Sequence, residues 1–545
     1  MPTDLSTAER AFRPVHPPRV RLSDIARAVP ALSVTDDAVV SGVCLDSRAV
    51  QAGDLYIGLP GARAHGATFS DAAAAAGAAA ILTDDEGLAA AAATGLPVVS
   101  TTSVRAVIGD VSACVFGTQS DAPALFGVTG TNGKTTTTYF LRSLLNALGR
   151  STGLIGTIEI VAGQTPIPSV LTTPEATQLH ALLARMRDGG IDATAMEVSS
   201  HALDYGRVAG LRYAVAGFTQ LTQDHLDLHG TMEEYFASKA RLFEPETSRA
   251  AVVTVDDAWG RLLAARRRET GSHVLTLATR DDGAEADWTV TDVAAHGLGH
   301  EFTLRNATGD AVSARVGLPG DFNVSNAALA LTMILASGIG VAALQQALDE
   351  QDPLSVAVPG RMQVISHRPA AVVDFAHNAD ALQRAIAAVR PASGRVITVF
   401  GATGDRDATK RPVMGAVAAE CSDVVIITDD DPHSEDPAAI RSDVLAGARQ
   451  AVTDQSLTTA VIEASPRAAA IRHAVQLATE EDTILVAGRG HETVQDVAGV
   501  DHALDDRTEL SAALVAAGFT PIASNETSTT ASEADGQRGE GVKSS

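Results

Sequence analysis

The run LFGVTGTNGKTTTTYF, residues 125–140, constrains the fold more than any other part of the chain. Apolar residues at 125–128 read as a buried strand, and TTTTYFLRSLLNAL after the glycines reads as a helix. Between them, Gly127, Gly130 and Gly133 leave the backbone free to turn its N–H groups inward, and the helix start adds partial positive charge. A strand, turn and helix in that order bind nucleotide phosphates, with Lys134 reaching the terminal phosphates and the Thr135 hydroxyl offered to Mg²⁺. The spacing departs from the standard loop, which needs glycine at 128, where Val128 stands. An ordinary glycine-rich turn is the alternative. Lysine usage argues against it: among 41 basic residues the lysines are Lys134, Lys239, Lys410 and Lys543.

Apolar runs alternating with alanine-rich amphipathic stretches continue through the chain. ATAMEV (193–198), AVVTV (251–255), AAVVDFA (370–376), VITVFG (396–401), DVVIIT (423–428) and TILVAG (483–488) read as buried strands. The fold class is therefore α/β. Ser465-Pro466 before RAAAIRHAVQLA predicts a helix with Ser465 as N-cap and Pro466 at its first position. Length calls for several domains, and three blocks emerge: residues 1–119, 120–357 and 358–522. Residues 523–545 are nearly devoid of apolar side chains and are expected to be a disordered tail. No internal repeat is found.

A formal net charge of −25 argues against nonspecific nucleic-acid binding and against an anionic membrane surface. No apolar h-region opens the chain and no stretch is apolar enough to span a bilayer, so a cytoplasmic protein is expected. Cys44, Cys114 and Cys421 lack metal or redox spacing. Glu197, at the carboxyl end of ATAMEV, stands where doubly wound sheets bind ligands, and it suits Mg²⁺ directly or through water.

GTNGKT, MEVSSHAL, DHLDLHG, LPGDFNVSNAALA, GRM, DFAHNADAL, GDRDATKRP and AGRGHE occur in this order. Together they resemble the Mur ligases, most closely the MurE type, the UDP-N-acetylmuramoyl-tripeptide synthetases. The resemblance implies a three-domain architecture. Residues 1–119 bind the UDP substrate, 120–357 form a central P-loop-type ATPase domain, and 358–522 form a Rossmann-like domain for the incoming amino acid. It implies ATP and two Mg²⁺ ions, a monomer, and substrates UDP-MurNAc-L-Ala-D-Glu and a free diamino acid. ATP phosphorylates the D-Glu γ-carboxylate, and the amine attacks the acyl phosphate. Lys134, Glu197, His225 and Lys239 are the implied catalytic residues.

Lys239, in EEYFASKARLF, matches a carbamylated lysine. A buried neutral amine takes up CO₂, which a permanently protonated guanidinium cannot do. With Thr135, Glu197 and His225 it forms the implied metal set. The ATP positions are Gly127, Thr129, Gly130, Thr131, Asn132, Gly133, Lys134, Thr135 and Thr136, then Asn326, Arg361, Asp374 and His377. The UDP-MurNAc-dipeptide positions are Leu45, Ser47, Ala62, Arg63, Ala64, Thr172, Thr173, Ser199, Tyr205 and Arg207. Tyr205 stands where relatives often carry glutamine.

The amino-acid positions are Arg406, Asp430, Asp431, Pro432, His433, Gly488 and Glu492. Diaminopimelate-adding relatives carry DNPR in this loop, and the arginine pairs with the substrate's second carboxylate. Here the text is Asp430-Asp431-Pro432-His433, amid Asp429, Glu435 and Asp436. Such a loop repels a carboxylate tip and attracts an ammonium, so a basic diamino acid is expected: L-lysine first, ornithine or diaminobutyrate as alternatives. A protonated His433 keeps diaminopimelate as the runner-up. Arg489 stands where lysine is common. Two rival functions share the phosphate loop: a folylpolyglutamate-synthetase-like ligase and a non-catalytic ATP-binding regulatory protein.

Overall fold

The computed structural model describes residues 10–61, 64–167, 171–224, 226–280 and 285–522. It comprises two compact units, one running to Gln363 and including Gln383–Val389, the other holding Val364–Leu382 and the chain from Arg390 on. Besides the two-stranded pair of Val20–Arg21 with Val39–Val40, the first unit contains two sheets among the described residues. The smaller orders its strands Ser33–Val34, Val98–Ser100, Ala80–Thr83, Asp54–Ile57 and Gly42–Cys44. All its neighbours are parallel except the edge strand Ser33–Val34. Arg13 ties the start of the chain to it, meeting the fully buried Asp54 carboxylate at 2.5 and 2.7 Å.

The larger sheet has eleven strands. Its centre orders Thr152–Ile155, Ala193–Glu197, Ala124–Thr129, Tyr213–Phe218 and Ser248–Thr254, all parallel. From Ala124–Thr129 the chain first moves to one side, then returns to the other. That reversal places a crevice at the carboxyl end of Ala124–Thr129. The helices Lys134–Ala147 and Asp321–Ala336 pack together on this sheet. Asp321–Ala336 buries eleven of its sixteen residues, which is why its sequence shows little amphipathic period.

The helix Val104–Phe116 packs on Ala176–Asp188. His180 lies buried at this seam, its Nε2 2.9 Å from the Ala209 carbonyl and its Nδ1 2.5 Å from the Thr118 hydroxyl. Nε2–H therefore donates to the carbonyl and Nδ1 accepts. Burial pushes the imidazole down to about 4, which keeps it neutral.

The second unit carries a six-stranded sheet ordered Gln363–His367, Ala370–Asp374, Thr483–Ala487, Val396–Phe400, Val424–Ile427 and Ala460–Glu463. A hairpin of Val494–Val497 and Val500–Ala503 follows. Every buried strand expected from sequence is present, its ends shifted by no more than three residues. One helix start is corrected. The helix runs Arg467–Leu477 with Pro466 at the N-cap, and the Ser465 hydroxyl donates to Asp429 Oδ2 at 2.5 Å rather than capping. With Pro466 at the N-cap, Ser465 stands one residue before the capping position, and its hydroxyl proton goes to the Asp429 carboxylate. Among the described residues, no helix is long and apolar enough to cross a membrane. The expected tail lies outside them.

Candidate active site

The phosphate loop follows Ala124–Thr129, and the helix starts at Lys134 with no side-chain cap. Its first N–H groups are thus left for an anion. Gly130 and Gly133 have φ of 147° and 88°. A Cβ on Gly130 would lie 1.8 Å from Thr219 Oγ1, and one on Gly133 2.3 Å from Asn326 Oδ1. The turn therefore excludes side chains, and Asn326 closes over it. Thr131 is pinned by its N–H to Gln220 O at 2.9 Å, and its Oγ1 accepts the Thr222 N–H at 3.0 Å. The Asn132 carbonyl accepts the Thr219 hydroxyl at 2.7 Å. Gly127 is a correction. It lies inside the strand, paired with Met196 and Ala216, and a Cβ there would sit 2.6 Å from the Tyr213 ring. Its smallness serves packing, not phosphate.

Glu197 is 1% exposed at the end of its strand. Its Oε2 accepts the Thr135 hydroxyl at 2.9 Å and the Thr157 hydroxyl at 3.1 Å, and its Oε1 accepts the Thr157 N–H at 2.8 Å. Thr157 Oγ1 also lies 3.1 Å from the Thr172 hydroxyl, whose proton it is free to accept, and the Glu197 carbonyl accepts the Thr173 hydroxyl at 3.0 Å. Glu197, Thr157, Thr172 and Thr173 thus form one network. Thr157 was not legible in the sequence, since a threonine after a short strand carries no motif.

Lys239, on the helix Met232–Ala240, is 1% exposed. Its Nζ lies 3.0 Å from the Gly130 carbonyl, and 4.5 Å from the Tyr235 ring centre. Lys134 Nζ also donates to Gly130 O, at 3.0 Å, and to Thr131 O at 2.8 Å. Two ammonium groups converging on one carbonyl repel each other. Burial first, then Lys134, holds the Lys239 amine well below its usual range, despite Asp224 and Asp204. Burial also lowers Lys134, and Arg361 adds to this. Tyr235 is the second residue that sequence missed: its OH lies 3.3 Å from Thr131 Oγ1, so it joins the Lys239 helix to the phosphate loop. An oxygen set of carboxylate and hydroxyl, with a neutral amine able to become a carbamate, suits a hard cation such as Mg²⁺. His225 lies outside the described residues.

Ser199 caps Ser200–Asp204, its Oγ accepting the Ala202 N–H at 3.1 Å. Arg207 is already engaged: Nε donates to Glu175 Oε1 at 2.8 Å and Nη1 to Thr173 O at 3.4 Å. Tyr205, 41% exposed, lies under that guanidinium, 5.6 Å from ring centre to carbon. Leu45 and Ser47 follow the strand Gly42–Cys44 and are half-buried, and Ala64 O accepts the Gly61 N–H at 3.2 Å. Ala62 and Arg63 lie outside the described residues.

Asp374 and His377 belong to the second unit. Asp374 ends its strand and its Oδ1 accepts the Ala376 N–H at 2.9 Å, while the His377 carbonyl accepts Lys410 Nζ at 3.1 Å. Arg406 is exposed beside Asp405. Of the acids crowding residues 429–436, most are already engaged. Asp429 pairs with Arg441, Asp431 with Arg489, and Glu435 with Arg411, while Asp436 caps Pro437–Gln455. Asp430 is left, buried, its Oδ1 accepting the Asp431 N–H at 2.8 Å. A Cβ on Gly488 would sit 2.6 Å from Asp430 Oδ2. Oxygens of Asp430, Asp431 and Glu492 lie within 4.8 Å of one another. Burial, then Asp430, pushes the Glu492 carboxyl up to about 7. Arg489, whose Nη1 lies 3.7 Å from Glu492 Oε2, offsets part of that push.

Residues 39–112 match the Mur ligase family catalytic domain, 128–334 the Mur ligase middle domain, and 360–490 the Mur ligase glutamate ligase domain. A UDP-N-acetylmuramyl-tripeptide synthetase of Leifsonia xyli subsp. xyli is 44% identical over 518 residues, spanning 94% of this chain and 99% of that protein. The chain belongs to the Mur ligase family. A UDP-N-acetylmuramoyl-L-alanyl-D-glutamate–2,6-diaminopimelate ligase of Streptomyces avermitilis is 43% identical over 505 residues, 92% of this chain and 98% of that one. The solved structure of a ligase of the same name superposes with a TM-score of 0.63 at 31% identity, covering 88% of this chain and 96% of that one. The three-domain α/β architecture of Mur ligases is therefore the fold, and ATP-dependent amide-bond formation the class of reaction.

Proposed function

We propose that the chain joins a free diamino acid to the D-Glu γ-carboxylate of UDP-MurNAc-L-Ala-D-Glu through an acyl phosphate, in the cytoplasm and as a monomer. The observation that carries the chemistry is the convergence of Lys134 and Lys239 on the Gly130 carbonyl. Two buried cations there are unfavourable, and a carbamate on Lys239 turns that repulsion into attraction. Thr135, Glu197, His225 and the Lys239 carbamate would hold Mg²⁺, as two ions, which would supply positive charge to offset the repulsion of carboxylate and triphosphate. The loop N–H groups and Lys134 hold the phosphates, with Asn326 closing the loop, and Arg361, Asp374 and His377 complete the nucleotide set. Thr172, Thr173, Ser199 and Arg207 orient the dipeptide, joined to Glu197 through Thr157. Leu45, Ser47 and the turn at Ala62, Arg63 and Ala64 take the UDP end.

Arg406, Gly488 and Glu492 hold the amino acid, and Asp430 receives the ammonium at its tip. L-lysine is the first expectation, with ornithine or diaminobutyrate beside it. The names of the Leifsonia and Streptomyces relatives pull in different directions: the first leaves the amino acid open, and the second favours diaminopimelate as the alternative. The test is purified protein with UDP-MurNAc-L-Ala-D-Glu, ATP and Mg²⁺ against each amino acid. The expected result is a kcat/KM at least about tenfold higher for one basic diamino acid than for meso-diaminopimelate, equal to about 1.4 kcal/mol of discrimination. The reverse order overturns the charge argument.

A further inference from the structure

The loop Asp430–His433 is strapped by the hairpin Val494–Ala503. Gln495 Nε2 donates to Asp430 O at 2.5 Å, and the Asp496 N–H to Asp431 Oδ1 at 3.1 Å. The His433 N–H donates to Asp496 O at 3.2 Å, and the Ala498 N–H to His433 O at 2.7 Å. Arg489, with no exposed surface, donates to Asp431 through Nη1 and to Val494 O through Nη2 at 2.5 Å. Only one basic side chain occurs between Asp429 and Asp436, that of His433. Its Nδ1 lies 2.8 Å from Asp496 Oδ2, and Asp496 Oδ1 accepts the Gly499 N–H at 2.8 Å, which fixes the carboxylate in place.

We propose that Asp496 is a specificity-determining residue: by holding the His433 imidazole it withdraws the loop's one basic side chain from the amino-acid pocket, so that a carboxylate-tipped substrate finds no partner there. This rests on the reading of residues 430–433 as part of that pocket. When His433 is protonated its charge is spent on Asp496, and a substrate carboxylate must compete with a fixed neighbour 2.8 Å away. Asp405, which faces His433 from the loop before Lys410–Cys421, adds a second negative charge on that side. The pocket is left with Asp430 and Glu492. Asp496 touches no substrate in this account. It acts through His433.

The experiment measures kcat and KM for L-lysine and for meso-diaminopimelate in the wild-type protein, in Asp496→Asn and in the double variant His433→Ala/Asp496→Asn. Asp496→Asn is expected to raise kcat/KM for diaminopimelate about tenfold relative to lysine, through KM and with kcat held. The double variant is expected to lose that gain, because the gain requires the freed imidazole. An unchanged ratio in Asp496→Asn, or a gain that survives in the double variant, overturns the proposal. Asp496→Ser keeps an oxygen for the Gly499 N–H and carries the same expectation should the asparagine variant not fold. The wild-type preference alone reports on the substrate assignment. The shift in ratio between variants reports on Asp496 whichever amino acid the wild type prefers.

Discussion

Lys239→Arg is expected to lower the kcat of ligation by at least about 10²–10³-fold, the range typical for removing one preorganised electrostatic group. The Lys239 Nζ lies 3.0 Å from the Gly130 carbonyl, which Lys134 shares. A guanidinium there stays protonated, carries no carbamate and adds a permanent cation beside Lys134. Lys239→Ala removes the repulsion but also the proposed anion. Its activity is therefore expected to recover in part on adding a short aliphatic carboxylate, which can occupy the emptied space. Steady-state phosphate release in the presence of both substrates measures each effect. An arginine variant within tenfold of wild type contradicts the assignment.

Arg467→Leu destabilises the second unit by about 3–5 kcal/mol, the cost of leaving a buried charge without its partner. Arg467 and Asp506 are both 0% exposed and meet at 2.7 Å through two hydrogen bonds. The same guanidinium donates to Asp429 O at 3.0 Å and to Ala487 O at 2.8 Å, the carbonyls just before Asp430 and Gly488. The double variant Arg467→Leu/Asp506→Leu removes the orphaned carboxylate and regains part of the loss. It does not regain all of it, because the Asp429 and Ala487 carbonyls lose the guanidinium donor that both share. Urea unfolding of the three proteins measures the series. Full recovery in the double variant means that the two carbonyl bonds contribute nothing.

The α/β class, the phosphate loop and the buried strands were legible because each depends on a local pattern: apolar runs, glycine spacing and a lysine kept where arginine dominates. Glu197 was legible because a strand-end acid is a position, not a contact. Several features were not local. The strands Trp288–His296, Gly299–Asn306 and Ala311–Val316 extend the large sheet, the first joining it parallel and the next two antiparallel, yet Trp288–His296 is exposed over its second half and shows no buried run. Gly127 looked like part of the phosphate turn, but its constraint is the Tyr213 ring, 86 positions away along the chain. The acid cluster at 429–436 read as one field of negative charge. Its ion pairs with Arg411, Arg441 and Arg489 come from three other elements, and they reduce that field to Asp430 and its neighbour Glu492. Thr157 and Tyr235 became visible only once the chain had brought Glu197 and Lys239 to the loop.

We propose that this chain makes a carboxylate reactive by moving the terminal phosphoryl group of ATP onto it. The most direct measurement uses UDP-MurNAc-L-Ala-D-Glu labelled with ¹⁸O in the D-Glu γ-carboxylate, with ATP, Mg²⁺ and the preferred amino acid. Mass analysis of the released phosphate is expected to show one ¹⁸O atom per phosphate, transferred when the amine displaces the acyl phosphate. Phosphate released without label, while the peptide still lengthens, contradicts that account.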